Sequence, residues 1–295
     1  MISLIKISTL SYLNYYVFVI KLSSNKDYFR KDQLKRSSNY FKNAPMSKII
    51  ALFNQAGGVG KTTLTMNIGY HLKELNQKVL LLDLDPQASL TVFFGLKPKE
   101  LSETIHSSIV QETSLPIHSD LHGIDLVPAN INLSATEKAL SDAIMKELRL
   151  KNLLSSKQNE YDFILIDCPP SLGFLSIISL IAATHVLVPI QTQYKAIMGT
   201  QQLIDTIQRV RKYGNPQIKL AGVVPTMFDS RAKQERESLQ SIQTAFTQTI
   251  VWSPISRATD FVNASQAHVP FVKYAPKHPA VKILRQIAKD LLEIK

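Results

Sequence analysis

The sequence predicts a three-layer α/β/α fold with a mostly parallel central sheet. Two observations carry this prediction. Short continuous apolar runs recur along the chain, as expected of strands that are buried on both faces, and helical apolar patterns separate several of them. This alternation implies right-handed crossovers between parallel strands. A chain of 295 residues, 45% of them apolar, is long enough to bury the core of such a fold.

The predicted strands are short and are separated by helices or loops. They are the six apolar runs 48–53, 79–84, 124–128, 162–167, 185–190 and 218–225. Helices are predicted over 62–76, 134–150 and 196–213; the first has apolar residues at helical spacing, from Leu64 to Leu75. No linker rich in Pro, Gly or Ser divides these elements. Residues 46–295 are therefore expected to form a single domain.

The first 45 residues differ in charge from the rest of the chain. They carry eight Lys or Arg against two Asp, and so more than half of the net charge of +11. Met46 begins the run MSKIIALFNQ, which is typical of a first strand. Residues 1–45 are therefore expected to be a disordered basic leader or the product of a mis-assigned start, with a functional basic tail as the alternative. The sequence has no run of eighteen apolar residues, so no membrane-spanning helix is predicted.

The cysteine content bounds the chemistry. Cys168 is the only cysteine, which excludes a disulfide framework within the chain and a metal site built from several thiolates. A thiol nucleophile needs a nearby base, and none is visible in the sequence around Cys168, so this residue is expected to be a small buried side chain. The cytoplasm is the expected compartment.

A glycine-rich loop follows the first predicted strand and predicts a phosphate site. Glycines let backbone N–H groups turn toward phosphate oxygens, and the next helix adds the positive end of its dipole. Lys61 is expected to reach the β- and γ-phosphates, and the Thr62 hydroxyl to bind Mg²⁺. The pattern GxxxxGK[ST] has a glycine where this chain has Gln55, but strand, loop, GKT and helix follow in the required order. The expected nucleotide-binding residues here are Gly57, Gly58, Val59, Gly60, Lys61, Thr62 and Thr63.

Carboxylates follow two other predicted strands. Asp83 and Asp85 lie in LLDLDPQ, and strand alternation predicts that both point to the same side. Asp167 ends the run ILIDCPPS. Ligands of parallel sheets lie beyond the carboxyl ends of the strands, so these side chains are expected beside the glycine loop. There Asp85 would orient a water or hold a metal-bound water, and Asp167 would bind Mg²⁺.

The motifs NQAGGVGKTT, DLDPQ and DCPPS together resemble those of the ParA/MinD family of deviant-Walker ATPases, over about residues 47–295. The resemblance implies a P-loop NTPase that binds ATP and Mg²⁺ and forms a homodimer with two nucleotides sandwiched between the subunits. The dimer would bind double-stranded DNA nonspecifically, and a small McdB- or ParB-like adaptor would stimulate hydrolysis and release. Such cycles position cargo on the nucleoid.

The resemblance also implies roles for individual residues. By position, Lys61 is the P-loop lysine, Asp85 the switch I carboxylate tied to hydrolysis, and Asp167 the switch II carboxylate. The residues that fall where this family contacts adenine are Pro225, Thr226 and Met227.

One position departs from the family pattern. The family has a lysine two residues beyond Asn54 that reaches across the dimer, whereas this chain has Ala56. Facing phosphates repel strongly at low dielectric, so another cation is expected to replace that lysine. Lys195, at the start of a predicted helix, is the candidate and is expected to act in catalysis. A missing first lysine with one downstream is similar to the McdA-type subgroup, so carboxysome positioning is the favoured function, and plasmid or chromosome partition is the alternative.

Basic residues near the C-terminal end are the expected DNA contacts, because the family binds DNA with this part of its fold. They would bind phosphates irrespective of sequence, and no helix-turn-helix or zinc finger predicts specific base reading. The candidates are Arg257, Lys273, Lys277, Lys282 and Arg285.

Two further functions stay open at this point. A MinD-like membrane ATPase would end in a basic amphipathic helix, but Asp290 and Glu293 dilute the basic face of residues 281–295, so a core helix is favoured. A dethiobiotin- or cobyrinic-type ligase would need a pocket for an organic acid, and DLDPQ with DCPPS fits the positioning switch better. A nitrogenase-type iron protein is excluded, because its cluster needs two cysteines per subunit.

Overall fold

The described part of the protein forms a seven-stranded sheet covered by helices on both faces. This computed structural model describes residues 47–294, apart from the side chains of residues 194–198 and 200. The predicted basic leader 1–45 and its boundary at residue 46 lie outside the described residues. The strands are β1 (Lys48–Leu52), β2 (Val79–Asp83), β3 (His118–Leu121), β4 (Ile124–Val127), β5 (Phe163–Asp167), β6 (His185–Gln191) and β7 (Lys219–Thr226).

The strand order is β3-β4-β2-β5-β1-β6-β7, and every neighbouring pair is parallel except β3 and β4. Each of the six predicted strands is present, close to its predicted bounds. The carboxyl ends of β1, β2, β5, β6 and β7 therefore lie at one edge of the sheet, as predicted. Every residue of β2 and β5 is buried, which explains why both read as continuous apolar runs.

Helices pack on the two faces of the sheet. Successive residues of β1 alternate between two hydrophobic clusters, with Ile49 in one and Ile50 in the other. The helices are α1 (Lys61–Glu74), α2 (Ser89–Phe93), α3 (Ile105–Gln111), α4 (Thr136–Ala139), α5 (Arg149–Ser155), α6 (Phe174–Ala182), α7 (Tyr194–Tyr213), α8 (Lys233–Ala245), α9 (Asp260–Gln266), α10 (Phe271–Tyr274) and α11 (Pro279–Glu293). Single 3₁₀ turns occupy Pro98–Glu100, Ile131–Ala135 and Lys146–Leu148.

Two elements differ from the sequence-based prediction. The continuous helix predicted over 134–150 is wrong: this segment contains α4, a break and a 3₁₀ turn before α5 begins. Its apolar periodicity was misleading because Ile144 and Met145 are exposed, and Met145 has a φ of 55° that ends a right-handed helix. Strand β3 was missed because its sequence, HSDL, is polar, as suits an antiparallel edge strand.

The C-terminal helix α11 belongs to the core, as predicted. Its apolar residues Val281, Leu284, Ile287 and Leu291 are buried where the helix packs against α1. Within residues 47–294, no helix combines the length and the apolar character that crossing a membrane requires.

Candidate nucleotide site

The loop between β1 and α1 turns at two glycines. Gly58 has a φ of 72° and Gly60 a φ of 90°, in the left-handed region that side chains other than glycine rarely adopt. Helix α1 starts directly after them, at Lys61, so the backbone N–H groups of its first turn point out of the helix at this loop. A Cβ on Gly57 would lie 3.7 Å from the Cβ of Pro170, which brings the loop after β5 beside the glycine loop. The backbone therefore has the shape that the sequence predicted for a phosphate-binding loop.

Lys61 is held inside this loop. Only 6% of the residue is exposed, and its Nζ donates hydrogen bonds to the carbonyl oxygens of Asn54 and Ala56, each at 2.9 Å. Burial lowers the pKa of Lys61, while the nearby carboxylates of Asp167 and Asp85 act in the opposite direction. Lys61 therefore lies between the loop carbonyls and the acidic groups that follow β2 and β5.

Two buried carboxylates lie side by side at the ends of β2 and β5. Asp83 and Asp167 are register partners, and neither is exposed. The carboxylate of Asp83 is well bonded: it accepts from the Thr91 N–H at 2.8 Å, from the Thr91 hydroxyl at 2.7 Å and from the Asp85 N–H at 3.1 Å. Burial nevertheless raises the pKa of Asp83 to about 6.

Asp167 has no such support. Within residues 47–294, neither of its carboxylate oxygens has a hydrogen-bond partner. Burial first, and then the charge of Asp83, raise its pKa well above the usual value, although the nearby Thr62 hydroxyl and Lys61 offset part of the rise. A buried carboxylate without donors is unfavourable unless a cation neutralises it. Asp167 and Thr62 together are an oxygen donor pair of the kind that Mg²⁺ prefers.

Asp85 differs from Asp83 in its surroundings. Strand β2 ends at Asp83, so Asp85 lies in the loop beyond it, where strand alternation no longer applies, and a common side for the two carboxylates stays a prediction. Asp85 is half-buried, and its Oδ1 accepts a hydrogen bond from the Gln87 N–H at 2.9 Å. Its charge acts on both Lys61 and Asp167, so it does face the phosphate loop as expected. Asp83 instead holds the loop that carries Asp85.

Cys168 is a buried small residue, as predicted. Burial raises the pKa of its thiol to about 12, so the thiol is not ionised at neutral pH. A nucleophilic cysteine requires the opposite shift.

A largely apolar cavity of about 420 Å³ opens beside the glycine loop. Gly60 and Thr63 line it at the glycine loop, and Thr226 and Met227 line it at the end of β7. The Thr226 hydroxyl donates to the Val59 carbonyl at 2.9 Å, which joins the end of β7 to the glycine loop. Two of the three predicted adenine contacts thus line one cavity. The third, Pro225, lies behind it, where its carbonyl accepts from the Ile255 N–H at 2.9 Å.

Three further residues of the cavity were not predicted there. Phe93, Phe261 and Arg257 line its walls, the first two with rings that suit stacking on a nucleobase. No motif or spacing in the sequence pointed to these phenylalanines, because the chain brings them to the cavity from two separate helices. Arg257, which was predicted to contact DNA, is exposed and also lines this cavity. Its contact with DNA stays a prediction.

Two of the other predicted DNA contacts, Lys273 and Arg285, lie close to α1. Lys273 is exposed, and its Nζ is 5.3 Å from the centre of the Tyr70 ring. Lys73, which the sequence did not single out, is on the same ring at 5.6 Å. The remaining predicted contacts, Lys277, Lys282 and Arg285, are exposed, whereas Lys73 is half-buried; these four residues and Lys273 are called the basic face below. Arg285 lies 3.7 Å from Glu74, at the end of α1.

The backbone of Lys195 has its predicted place. Helix α7 begins at Tyr194, directly after β6 reaches the functional edge, so Lys195 lies in its first turn. The side chain of Lys195 lies outside the described residues, and its role stays a prediction.

The sequence of this chain is similar to proteins of one known family. Residues 47–220 match the model of a family described as an AAA domain. The chain is 33% identical to the chromosome partitioning protein ParA of Myxococcus xanthus over 255 residues, which cover 85% of this chain and 89% of that protein. The chain belongs to the ParA/MinD family of ATPases. ATP and Mg²⁺ are the cofactors of ParA/MinD ATPases, as predicted here.

Two solved structures share the ParA/MinD fold of this chain. A cobyrinic acid a,c-diamide synthase from Mycobacterium smegmatis, with bound ADP and magnesium, aligns with a TM-score of 0.74 and 34% identity over 84% of this chain and 95% of that one. An ATP complex of McdA from Cyanothece aligns with a TM-score of 0.76, over 85% of this chain and 98% of that one. At 23% identity, this alignment shows a similarity in fold alone. The predicted three-layer fold is confirmed.

Proposed function

We propose that this ParA/MinD protein is an ATP-dependent dimerising switch that binds DNA nonspecifically and positions intracellular cargo on the nucleoid. The observation that carries the proposal is Asp167, a fully buried carboxylate near Lys61 and the Thr62 hydroxyl at the glycine loop, whose oxygens accept no hydrogen bond of ordinary geometry within residues 47–294. Such a group suits a site whose charge balance is completed by Mg²⁺ and a nucleotide. A nucleotide-controlled switch needs a site whose charges are balanced only when Mg²⁺ and the nucleotide are bound.

Each residue of the site has a role in this proposal. Thr62 and Asp167 hold Mg²⁺, and Asp85 orients a water toward the γ-phosphate. The glycine loop and Lys61 bind the phosphates, and the base lies in the cavity at Thr226 and Met227. The residues that bind nucleotide are then Gly57, Gly58, Val59, Gly60, Lys61, Thr62, Thr63, Thr226 and Met227, with Pro225 behind them.

The basic face formed by Lys73, Lys273, Lys277, Lys282 and Arg285 supports DNA as the partner. These cations lie at the end of α1 and on the C-terminal segment, away from the acidic groups of the nucleotide site. Exposed lysines without a shaped pocket favour phosphate contacts that do not depend on base sequence. Because α1 begins at the phosphate loop and ends at this face, one helix spans both sites.

The cargo is proposed from two different observations. Ala56 and Lys195 favour carboxysomes, with a small McdB-like adaptor. The name of the Myxococcus xanthus relative favours chromosome or plasmid partition, with a ParB-like adaptor. Both cargoes use the same switch, so the identity of the stimulating adaptor separates them.

The proposal predicts that ATP will make this protein dimeric and DNA-bound, and that Asp85→Ala will lock it in that state. Without Asp85 the attacking water is not oriented, so hydrolysis falls while the phosphate loop stays intact. We expect gel filtration with Mg·ATP to give a dimer for the variant and a monomer with ADP. In electrophoretic mobility shifts on random-sequence duplex DNA, the protein should bind with Mg·ATP and not with ADP. This binding should weaken steeply as the salt concentration rises.

The matched control is Asp142→Ala, which removes an exposed aspartate outside the site. It should behave as the wild type does. The double variant Lys277→Glu, Lys282→Glu should dimerise with ATP but lose DNA binding. If neither the wild type nor Asp85→Ala binds DNA with ATP, the DNA-switch proposal is wrong; ATP-dependent pelleting with liposomes would instead support the MinD-like alternative.

Lys195→Ala is predicted to weaken ATP-dependent dimerisation by about tenfold or more, because it removes the cation that faces the partner's phosphates. Binding of ADP to the monomer should not change, since that site lacks the partner. Sedimentation equilibrium with a slowly hydrolysed ATP analogue would measure the dimer. The control is Lys212→Ala, at the other end of the same helix. Unchanged dimerisation and turnover in Lys195→Ala would show that this lysine does not replace the one missing at Ala56.

A second candidate function comes from the name of the solved Mycobacterium smegmatis structure, a diamide synthase of cobyrinic acid. An ATP-driven ligase of this kind would consume ATP in response to its acid substrate. Turnover measured with cobyrinic acid and an amide donor, and separately with DNA and the adaptor, separates the two functions. Stimulation by the acid alone would favour the ligase.

A further inference from the structure

Glu235 joins two loops at the functional edge of the sheet. It lies in the first turn of α8, and a single carboxylate oxygen, Oε2, accepts two hydrogen bonds. One comes from the Thr192 hydroxyl at 2.9 Å, and the other from the Asp229 N–H at 2.7 Å. Thr192 belongs to the loop after β6 and Asp229 to the loop after β7. Glu235 therefore fastens these loops to each other.

The same loops are connected to the glycine loop. The Thr192 N–H donates to the Thr226 carbonyl at 3.1 Å, and the Thr226 hydroxyl donates to the Val59 carbonyl at 2.9 Å. Thr192 is 0% exposed and Thr226 is 4% exposed, so water does not compete for these bonds. A continuous series of hydrogen bonds thus runs from Glu235 to the phosphate loop.

The loop after β7 needs this support because of its conformation. Met227, which lines the cavity, has a φ of 56°, in a region that is unfavourable for a side chain of its size. Such a conformation persists only where neighbouring contacts hold it. The Phe228 N–H bonds to the Ile255 carbonyl at 3.1 Å on one side. The Asp229 N–H bonds to Glu235 on the other.

The ion pair of this loop is weak by comparison. Arg231 pairs with the Asp229 carboxylate at 3.0 Å, but its own side chain is 89% exposed. Exposed ion pairs contribute little to a fixed geometry. Glu235 is half-buried and receives its bonds from a buried hydroxyl and a backbone amide.

We infer that Glu235 is a positioning residue for the nucleobase: it holds the loop of Met227 in the shape that receives the base and does not take part in phosphate binding. Glu235 does not line the nucleobase cavity, so it acts through Asp229 and Thr192. The inference rests on the proposed position of the base beside Thr226 and Met227. It adds the carboxylate that controls how strongly the base, as distinct from the phosphates, is bound.

The test compares a ligand that has a base with one that lacks it. Isothermal titration calorimetry of Glu235→Ala with Mg·ADP and with inorganic tripolyphosphate separates the two contributions. We expect the affinity for ADP to fall about tenfold, as for the loss of a hydrogen bond to a charged group, and the affinity for tripolyphosphate to stay within about twofold. Glu235→Gln keeps a carbonyl oxygen for both donors and should restore the affinity for ADP.

Two other variants make the result specific. Thr192→Val removes one donor at nearly constant volume and should weaken ADP by about threefold, again without an effect on tripolyphosphate. Glu237→Ala lies on the same helix and removes only an exposed contact with Lys233, so it should change neither affinity.

Equal losses for ADP and tripolyphosphate, or no loss of ADP affinity in Glu235→Ala, would overturn the inference. If Glu235→Ala does not fold, the ratio of the two affinities in Thr192→Val decides alone. A wild-type protein that binds ADP no better than tripolyphosphate would be a different failure. It would refute the nucleobase cavity of the proposed function itself.

Discussion

Lys61→Ala is expected to lower ATP turnover by a factor of about 10² to 10³, the usual cost of removing one charged donor from a preorganised site. The ammonium is already held at the loop by the Asn54 and Ala56 carbonyls, each at 2.9 Å, so it needs no rearrangement of the chain to meet a phosphate. Alanine leaves the glycine turns intact but removes the positive charge. Steady-state phosphate release at saturating ATP would measure the loss.

The control for this variant is Lys97→Ala. Lys97 is exposed and contacts Glu100 at 3.0 Å, so its loss should leave turnover unchanged. Circular dichroism and the melting temperature of both variants would exclude a general loss of structure. If Lys61→Ala retained the turnover of the wild type, the glycine loop would not be the phosphate site.

Asp167→Asn is expected to stabilise the unligated protein at pH 7 by about 1–3 kcal/mol, although it removes a proposed Mg²⁺ ligand. Neither oxygen of Asp167 has a hydrogen-bond partner within residues 47–294, and Asp83 lies opposite it on the neighbouring strand. An amide of the same shape carries no charge to repel Asp83. Urea unfolding of the wild type and the variant, without nucleotide, would measure the difference.

The same comparison has a defined pH dependence. Burial raises the pKa of Asp83 from 3.8 to about 6 and the pKa of Asp167 well above its usual value. The native state therefore holds more protons than the unfolded chain above about pH 4, and its stability falls as pH rises through the raised pKa values. Asp167→Asn removes one titrating group and lowers the repulsion on the other. Its stability should fall less than that of the wild type between about pH 4 and pH 7.

The opposite effect of Asp167→Asn is expected when Mg²⁺ is bound, because the variant lacks a proposed Mg²⁺ ligand. Mg·ADP should raise the melting temperature of the wild type more than ADP alone, and Asp167→Asn should lose most of that difference. Asn152→Asp, which places a carboxylate on the surface, serves as the control for a simple change of charge. An Asp167→Asn protein that is less stable than the wild type without ligand would contradict the description of Asp167 as a carboxylate that burial and Asp83 make unfavourable.

The local pattern of the sequence was sufficient for the sheet. Strands that are buried on both faces must be apolar at every position, and runs such as VLLLD and FILID satisfy this requirement without reference to any partner. The glycine loop could also be predicted, because φ values of 72° and 90° at Gly58 and Gly60 demand glycine. The same reasoning failed over 134–150, where Ile144 and Met145 have helical spacing but face solvent.

The site could be predicted only in part from the sequence. The motifs named Lys61, Asp85 and Asp167, but they gave Asp83 no role of its own. The Asp83 carboxylate instead accepts hydrogen bonds from Thr91, eight residues further on, because the helix after β2 returns to the strand end. Arg257 was assigned to DNA because it is basic and lies near the C-terminus; the segment between α8 and α9 also brings it to the wall of the cavity beside the glycine loop.

By itself, the sequence determined six of the seven strands of the described sheet, the place of the phosphate loop and the two carboxylates beside it. These features depend on residue types at short spacing along the chain. The backbone geometry of strands, helices and glycine turns fixes which residue types such spacing requires. The tertiary structure decided which distant groups meet. Thr226 reaches Val59, Glu235 reaches Thr192, and Lys73 shares the Tyr70 ring with Lys273. Contacts of this kind depend on how the helices pack on the sheet, and no local pattern in the chain encodes them.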